Sequence, residues 1–388
     1  MTVTSALPET LLPATTDAVR EIVADAHRRA EPVRITGAGT WRDAGAPVHA
    51  SRTLSLAALS GIIAYVPGDL TITAWAGTTM AELSQATAAH GQWLGLDPAG
   101  DRHGTIGATV ATASSGPLSH AFGTPRDLVL GLEAVTGYGE VVRPGGRVVK
   151  NVAGFDLVRL YTGAWGTLGP ITALTLRLRA VPVHDVTLAI PVDDPSLLAS
   201  RLTALRSPTL SLLALEWLDG ATARRLGAGD GDGRDVVLVR LGGNAAFVSG
   251  QRAVLAALAD VQGCDPAIWG RIATLDADAA LVLRISGDVG ALPARIARLR
   301  TLCAETGTPL AMQARVHRGI VRLVSTDANH SLCHALRTLP NDERCIVERQ
   351  PAAWWSGERD PFAGPLPSRI RAAFDPAIIC NRRRADDA

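Results

Sequence analysis

Glycine in this chain gathers into short runs that break up its first 180 residues. The runs are Gly37-Ala38-Gly39-Thr40, Gly104-Thr105-Ile106-Gly107, Ser115-Gly116-Pro117, Gly137-Tyr138-Gly139 and Gly163-Ala164-Trp165-Gly166-Thr167-Leu168-Gly169. Residues without bulk let two backbones, or a backbone and a ligand, approach closely, and glycine also accepts left-handed dihedrals. Between the runs the pattern is one of alternating helices and short strands. Val19, Ile22, Val23 and Ala26 recur at helical spacing, so a helix is expected over Asp17–Ala30. A strand at Arg34–Thr36 leads into the first glycine loop. Ile62–Val66 and Leu70–Ala76 read as a strand pair around Pro67-Gly68-Asp69, followed by a helix capped by Thr78 with Glu82 behind it. Leu128–Thr136 and Val141-Val142 flank a hairpin turn, Ile171–Leu178 is a last strand, and Val181-Pro182-Val183 marks a boundary.

Beyond Asp185 the glycines thin and an order repeats. The first pass has strands Val186–Ile190, Leu210–Leu215 and Val236–Leu241, helices Pro195–Leu205 and Ala245–Asp260, and a short apolar segment near Ala267–Trp269. The second has strands Ala280–Ile285, Leu310–Val316, Ile320–Val324 and Cys345–Glu348, with helices Ala291–Glu305 and Ala328–Leu339. Each pass follows the β-α-β-β-α-β plan of a split βαβ unit, and two such units can share one antiparallel sheet. The tail from Pro361 has a short helix at Pro367–Phe374 and is expected to return to the first domain.

At 388 residues the chain has room for two or three domains of ~150 residues each. Nearly equal numbers of basic (38) and acidic (37) residues argue against a nucleic-acid binder, which would show a basic excess. No run reaches the ~20 apolar residues of a membrane-crossing helix, and the start lacks the basic and apolar regions of a signal peptide. A cytoplasmic protein is expected. The five cysteines (264, 303, 333, 345 and 380) form no CxxC-type cluster, so any iron–sulfur relay must sit on another chain. Lys150 is the single lysine beside 37 arginines, which marks it either as an accident of composition or as a place where a compact ammonium is needed.

The loop Gly37–Thr40 follows a strand, a place where amide groups can face a pyrophosphate, but it is neither GxGxxG nor a Walker loop. Gly104–Ala108 would open a short helix whose N-terminus can receive anionic ligand atoms. Arg126-Asp127 and Lys150-Asn151-Val152-Ala153-Gly154-Phe155-Asp156 follow. Several such loops in one domain point to a long cofactor gripped mainly by backbone.

The order RITGAGT, GTIGATVATASSGP, PRDLVLGLEAVTGYGEVVRPGGRVVKNVAGFDLVRL, GTLGPITALTLRL and AAFDPAIICN resembles the vanillyl-alcohol-oxidase-type (PCMH-type) FAD-binding family. Within that family it is most similar to the FAD-binding E subunits of bacterial glycolate oxidases. The resemblance implies an α+β fold: a two-subdomain PCMH-type FAD-binding domain over 1–182, a ferredoxin-like second (cap) domain with an antiparallel sheet over 183–350, and a tail, 351–388, returning to the first. It implies that Gly37, Ala38, Gly39, Thr40 and Trp41 hold the pyrophosphate. Pro98, Gly104, Thr105, Ile106, Gly107, Ser115, Gly116 and Pro117 would lie along the flavin and ribityl chain. Arg126 and Asp127 would brace the site, with Gly169 beside Ile171, which contacts FAD through its main chain. Apart from the resemblance, the Lys150 ammonium is expected near the flavin or the carbonyls of the KNVAGFD loop, where it would stabilise negative charge on reduced flavin. Relatives that attach FAD covalently use a histidine in the first loop; Trp41 stands there, so the FAD is expected to be non-covalent. Ala164 and Pro170 depart from the family pattern, and Pro170 removes an amide donor.

Oxidation of a 2-hydroxy acid by flavin calls for a base and a carboxylate clamp. The catalytic relatives carry a GHxGDGNxH-like run in the second domain, whereas the GDG here lies in GAGDGDGRD without histidine. Arg315 and His317 are the nearest substitutes. His330 and His334, four apart on a helix, have metal-capable spacing without an evident third ligand, so no metal is assigned. The expected role is an electron-transfer or assembly subunit of a complex that oxidises glycolate, or D-lactate, with a catalytic flavoprotein and an iron–sulfur subunit as partners. Through these partners it would sit peripheral to the inner membrane. A self-sufficient dehydrogenase and a scaffold without flavin remain open alternatives.

Overall fold

The computed structural model describes residues 9–41, 43–146, 155–229, 231–336, 340, 342–355 and 364–382. Lys150, with Asn151 to Gly154 of its loop, lies outside the described residues. The chain folds as two compact units, the first containing residues 1–115, 123–181 and 352–388, the second 116–122 and 182–351.

The first unit holds two main sheets. Glu9–Leu11, Arg52–Ser55 and Val33–Thr36 form a parallel three-stranded sheet in that order. A five-stranded antiparallel sheet runs Ile62–Val66, Thr71–Trp75, Ile171–Arg177, Val129–Val135 and Val141–Val142. Its central strand, Ile171–Arg177, alternates Leu174 and Leu176 into the core. The helix Thr16–Arg29 forms because Val19, Val23 and Ala26 line one buried face, with Thr15 capping its start.

The helix after the first hairpin is Met80–Ala88, capped by Thr79 in a reciprocal capping box with Glu82. The cap expected at Thr78 is therefore displaced by one residue. Thr78 is buried instead, and its hydroxyl bonds both the amide and the carbonyl of Gly61. With that hydroxyl engaged, Thr79 is the threonine left to cap the helix.

The second unit is built on one eight-stranded antiparallel sheet. Its order is Gln262–Gly263, His184–Val192, Asp235–Gly243, Ala214–Leu218, Ala311–Arg315, Ile320–Ser325, Leu281–Ser286 and Arg344–Arg349. Each half has the strand order 4-1-3-2 of a split βαβ unit, and the two halves meet through their second strands, Trp217 opposite Ala314. Leu210–Leu212 precede the ladder; the strand begins at Ala214, one step after Leu213 bonds the Arg240 carbonyl. Sequence patterning passes over the helix Gly220–Leu226, which Asp219 caps and Gly227 ends at φ 69°. An N-cap aspartate and a terminal glycine eight positions apart are the signal for it.

Candidate functional site

A cleft partly open to solvent lies within the first unit, where the strand Val33–Thr36 ends. Gly37, Gly39, Thr40 and Trp41 line one side, and Thr105, Gly107 and Ala108 another. Trp165, Gly169, Pro170 and Ile171 complete it with Asn381 from the tail.

The loop after the strand is shaped by close approach. A Cβ on Gly37 would stand 2.2 Å from Thr105 Oγ1, and Gly39 takes φ 82°. Among the described residues the amides of Ala38, Gly39 and Thr40 donate to no acceptor. Open amides beside a cleft make a receptacle for an anionic group such as a pyrophosphate. Trp41 and Trp165 meet edge to face with centroids 6.1 Å apart, giving the cleft an apolar aromatic wall. Flat apolar surface next to unspent amide donors is the donor set that FAD requires.

The helix Ile106–Ala111 does not supply the anion-binding N-terminus expected of it. The Ile106 amide bonds the Thr78 carbonyl at 2.9 Å and the Gly107 amide the Ala76 carbonyl at 2.8 Å. The Ala108 amide is taken by Thr105 Oγ1 at 3.3 Å. Its first-turn donors are spent on holding the helix to the sheet. A Cβ at Gly107 would fall 2.6 Å from Ala76 Cβ, so this glycine serves packing as well as the cleft wall. Ile106 itself is fully buried in the core.

Other residues singled out from the sequence hold the backbone around them. Gly104 accepts the Met80 amide through its carbonyl. Asp127 Oδ2 accepts both the amide (2.8 Å) and the hydroxyl of Thr124, and Arg126 donates to the Thr162 carbonyl at 3.4 Å. Both fix the turn that enters the Val129–Val135 strand. Pro98 and Ser115 are half-buried, and Gly116 and Pro117 belong to the second unit, where Gly116 accepts the Ser119 hydroxyl at 2.6 Å. Gly169 holds φ 121° with its α-carbon against the Val135 carbonyl, and the Pro170 carbonyl accepts the Val135 amide at 2.9 Å. Pro170 thus lines the cleft without offering an amide.

Sequence reasoning missed Asn381. Its Oδ1 accepts the Ile35 amide and its Nδ2 donates to the Trp165 carbonyl, both at 2.7 Å. One amide side chain therefore ties the strand beneath the first loop to the aromatic wall. Asparagine also suits its φ of 47°. The tail is delivered there by Asp375, fully buried, whose carboxylate accepts the amides of Ile379 (3.1 Å) and Cys380 (2.8 Å). Burial pushes the Asp375 carboxyl above its ordinary value despite those two bonds.

The second unit places a row of polar groups on one sheet face. Glu216 stands opposite Arg315, Gln313 opposite Arg322, and Arg322 opposite Arg284, and directly opposed residues share a face. Gln313 donates to the fully buried Glu216 at 2.9 Å. Arg322 pairs with Asp276 at 2.7 Å and Glu348 at 3.0 Å, and Arg284 reaches Glu348 at 3.1 Å. Burial opposes the Arg322 charge, but Glu348 and Asp276 raise the guanidinium above its ordinary value. Arg315 is buried and His317 half-buried. His317 meets His120 edge to face, with centroids 4.7 Å apart. His330 and His334 share the helix His330–Ala335, and no group of three or more metal-capable side chains occurs among the described residues.

Residues 9–145 match the family described as FAD binding domain, so this segment is an FAD-binding domain of the PCMH type. The chain is 33% identical over 201 residues to glycolate oxidase subunit GlcE of Escherichia coli K12, covering 52% of this chain and 57% of that one. It is 28% identical over 218 residues to glycolate oxidase subunit GlcD of Bacillus subtilis, covering 56% and 46%. The chain thus spans about half the length of the curated relatives it matches. In fold it is similar to 4-ethylphenol oxidase from Gulosibacter chungangensis, at a TM-score of 0.75 and 14% identity over 96% of this chain and 88% of that one. Alkyldihydroxyacetonephosphate synthase gives 0.68 at 16% identity over 96% and 76%.

Proposed function

Starting from an FAD-binding domain over residues 9–145, we propose that this chain is the FAD-binding subunit of a complex that oxidises glycolate, and also D-lactate, to the 2-oxo acid. The observation that carries the reading is the cleft of the first unit, with its open amides at Ala38, Gly39 and Thr40 beside the Trp41–Trp165 wall. Those amides would hold the pyrophosphate, and Ile171 would border the flavin. Bound FAD would supply two-electron acceptor chemistry. The protein's own part is to orient it, and Asn381 fixes the loop and the wall in their mutual positions.

The relatives named as glycolate oxidase subunits and D-lactate dehydrogenases support a 2-hydroxy acid as the substrate class. The chain lacks the histidine-rich run of catalytic relatives, so its role is electron transfer or assembly. Its partners would be a catalytic flavoprotein subunit and an iron–sulfur subunit. No helix among the described residues is long and apolar enough to cross a membrane, which fits a cytoplasmic subunit held at the inner membrane by its partners. The buried Arg315 with the His120–His317 pair favours a second reading, a self-sufficient dehydrogenase.

Anaerobic addition of glycolate or D-lactate to the purified yellow protein separates these. A flavin band that persists until the partner subunits are added supports the subunit reading. Bleaching by the chain on its own replaces it with the second reading. A band unaffected by either acid even with partners present overturns both.

A further inference from the structure

Trp165 holds φ 55° in a loop that gives its other left-handed positions to Gly163, Gly166 and Gly169. A positive φ sets Cβ against the backbone, so for a bulky side chain it is an outlier that glycine would relieve. Core packing does not account for the tryptophan, because Trp165 is only half-buried and lines the cleft. Its indole N–H donates to no acceptor among the described residues.

The surrounding chain nevertheless holds this residue from several directions. The Trp165 amide donates to the Ala111 carbonyl at 2.8 Å, at the end of the helix Ile106–Ala111, and its carbonyl accepts Asn381 Nδ2 at 2.7 Å. Gly45, itself at φ 75°, lies so close that a Cβ there would stand 2.9 Å from the Trp165 ring. Trp41 meets that ring edge to face. A strained residue that its neighbours over-determine points to a role in contact with a ligand. The ring surface left uncovered lies on the wall of a cleft that also carries the open amides of Ala38 to Thr40.

We propose that Trp165 is a cofactor-contact residue whose ring stacks on a planar heterocycle of FAD, and that its left-handed backbone is kept in order to aim the ring into the cleft. This rests on the reading of the cleft as the FAD site. Adenine and isoalloxazine both offer the flat π face that an indole stacks on. Fold stability and cofactor affinity then pull position 165 in opposite directions: glycine suits the backbone, and an aromatic ring suits the ligand.

Calorimetric titration of the whole chain, freed of flavin, with FAD tests this on Trp165→Phe, Trp165→Ala and Trp165→Gly, beside thermal melting of the same flavin-free proteins. Trp165→Ala and Trp165→Gly should both weaken FAD binding about tenfold, and Trp165→Phe should retain most of the affinity. Melting should follow a different order. Trp165→Gly should unfold about 2–4 °C above Trp165→Ala, since glycine releases the left-handed strain that alanine keeps. Affinity that follows the ring while melting follows the backbone supports the assignment. Unchanged FAD affinity in the alanine and glycine variants overturns it, as does affinity that recovers from alanine to glycine in step with melting. Titrations with ADP and FMN separate the two rings: a loss confined to ADP puts adenine on Trp165, and a loss confined to FMN puts isoalloxazine there. A wild-type chain that takes up no FAD overturns the reading of the cleft and this inference together. Equal uptake by wild type and variants overturns this inference alone.

Discussion

The two units handle polarity in opposite ways. The first builds its cleft from backbone and small residues: Gly37 against Thr105, Gly107 against Ala76, and amides at Ala38 to Thr40 left open. The second buries charge, with Arg322 between Asp276 and Glu348, and Glu216 fully enclosed on the same sheet face. A backbone cradle recognises by shape and adds no net charge, which suits an anionic cofactor that must be held without altering its electronics. A buried charged face holds only while every partner stays in place. The lesson is that the two units should fail by different routes: the first when bulk is added, the second when charge is removed.

The largest expected effect is in the second unit. Arg322→Ala leaves Asp276 and Glu348 buried without their cation and should cost about 3–5 kcal/mol of stability. Denaturant unfolding measures it, and flavin content at low denaturant should be unchanged. A cost under about 1 kcal/mol would erase the contrast between the units. In the first unit, Gly37→Ala drives a methyl group to 2.2 Å from Thr105 Oγ1. Overpacking of this kind costs ~1–3 kcal/mol, and loss of bound flavin on gel filtration should accompany it. Asn381→Ala leaves the Ile35 amide and the Trp165 carbonyl unpaired, a cost of about 1–3 kcal/mol. Flavin affinity, followed by fluorescence quenching, should drop at least tenfold, while Asn381→Asp, which keeps only the acceptor, should lose part of it.

The second unit should also respond to acid through His317. Burial first, then the charges of His120 and Arg318, lower His317 from 6.5 to about 3. The folded state therefore favours neutral imidazole. That stabilisation is complete above about pH 6.5 and is lost as pH falls from there toward 3, by at most about 1.4 kcal/mol per unit. His317→Gln should flatten this slope in pH-dependent melting. The smallest effect belongs to an ordinary helix cap: Thr79→Ala should cost about 1 kcal/mol and leave flavin content alone.

How much of this could be read from residues depended on the range of the interaction. The glycine loops, the hairpin around Pro67-Gly68-Asp69 and the repeated split βαβ order are local patterns, and they appear where patterning puts them. The first-loop residues Gly37, Gly39, Thr40 and Trp41 do line the cleft. The first-turn amides of Ile106–Ala111 looked equally available, but their acceptors, Thr78 and Ala76, come from a neighbouring segment that the loop sequence does not reveal. Asn381 acts across 346 residues to reach Ile35, and His120 meets His317 across the whole second-unit insertion. Cross-strand register, which sets Glu216 opposite Arg315, has no trace in local spacing.

The most direct test of the central claim, an FAD held without a covalent bond in the first unit, is the visible spectrum of the purified chain before and after acid precipitation. A yellow protein that releases one FAD per chain into the supernatant is the predicted result. A colourless protein that takes up no added FAD, or a flavin that stays with the precipitate, would contradict it.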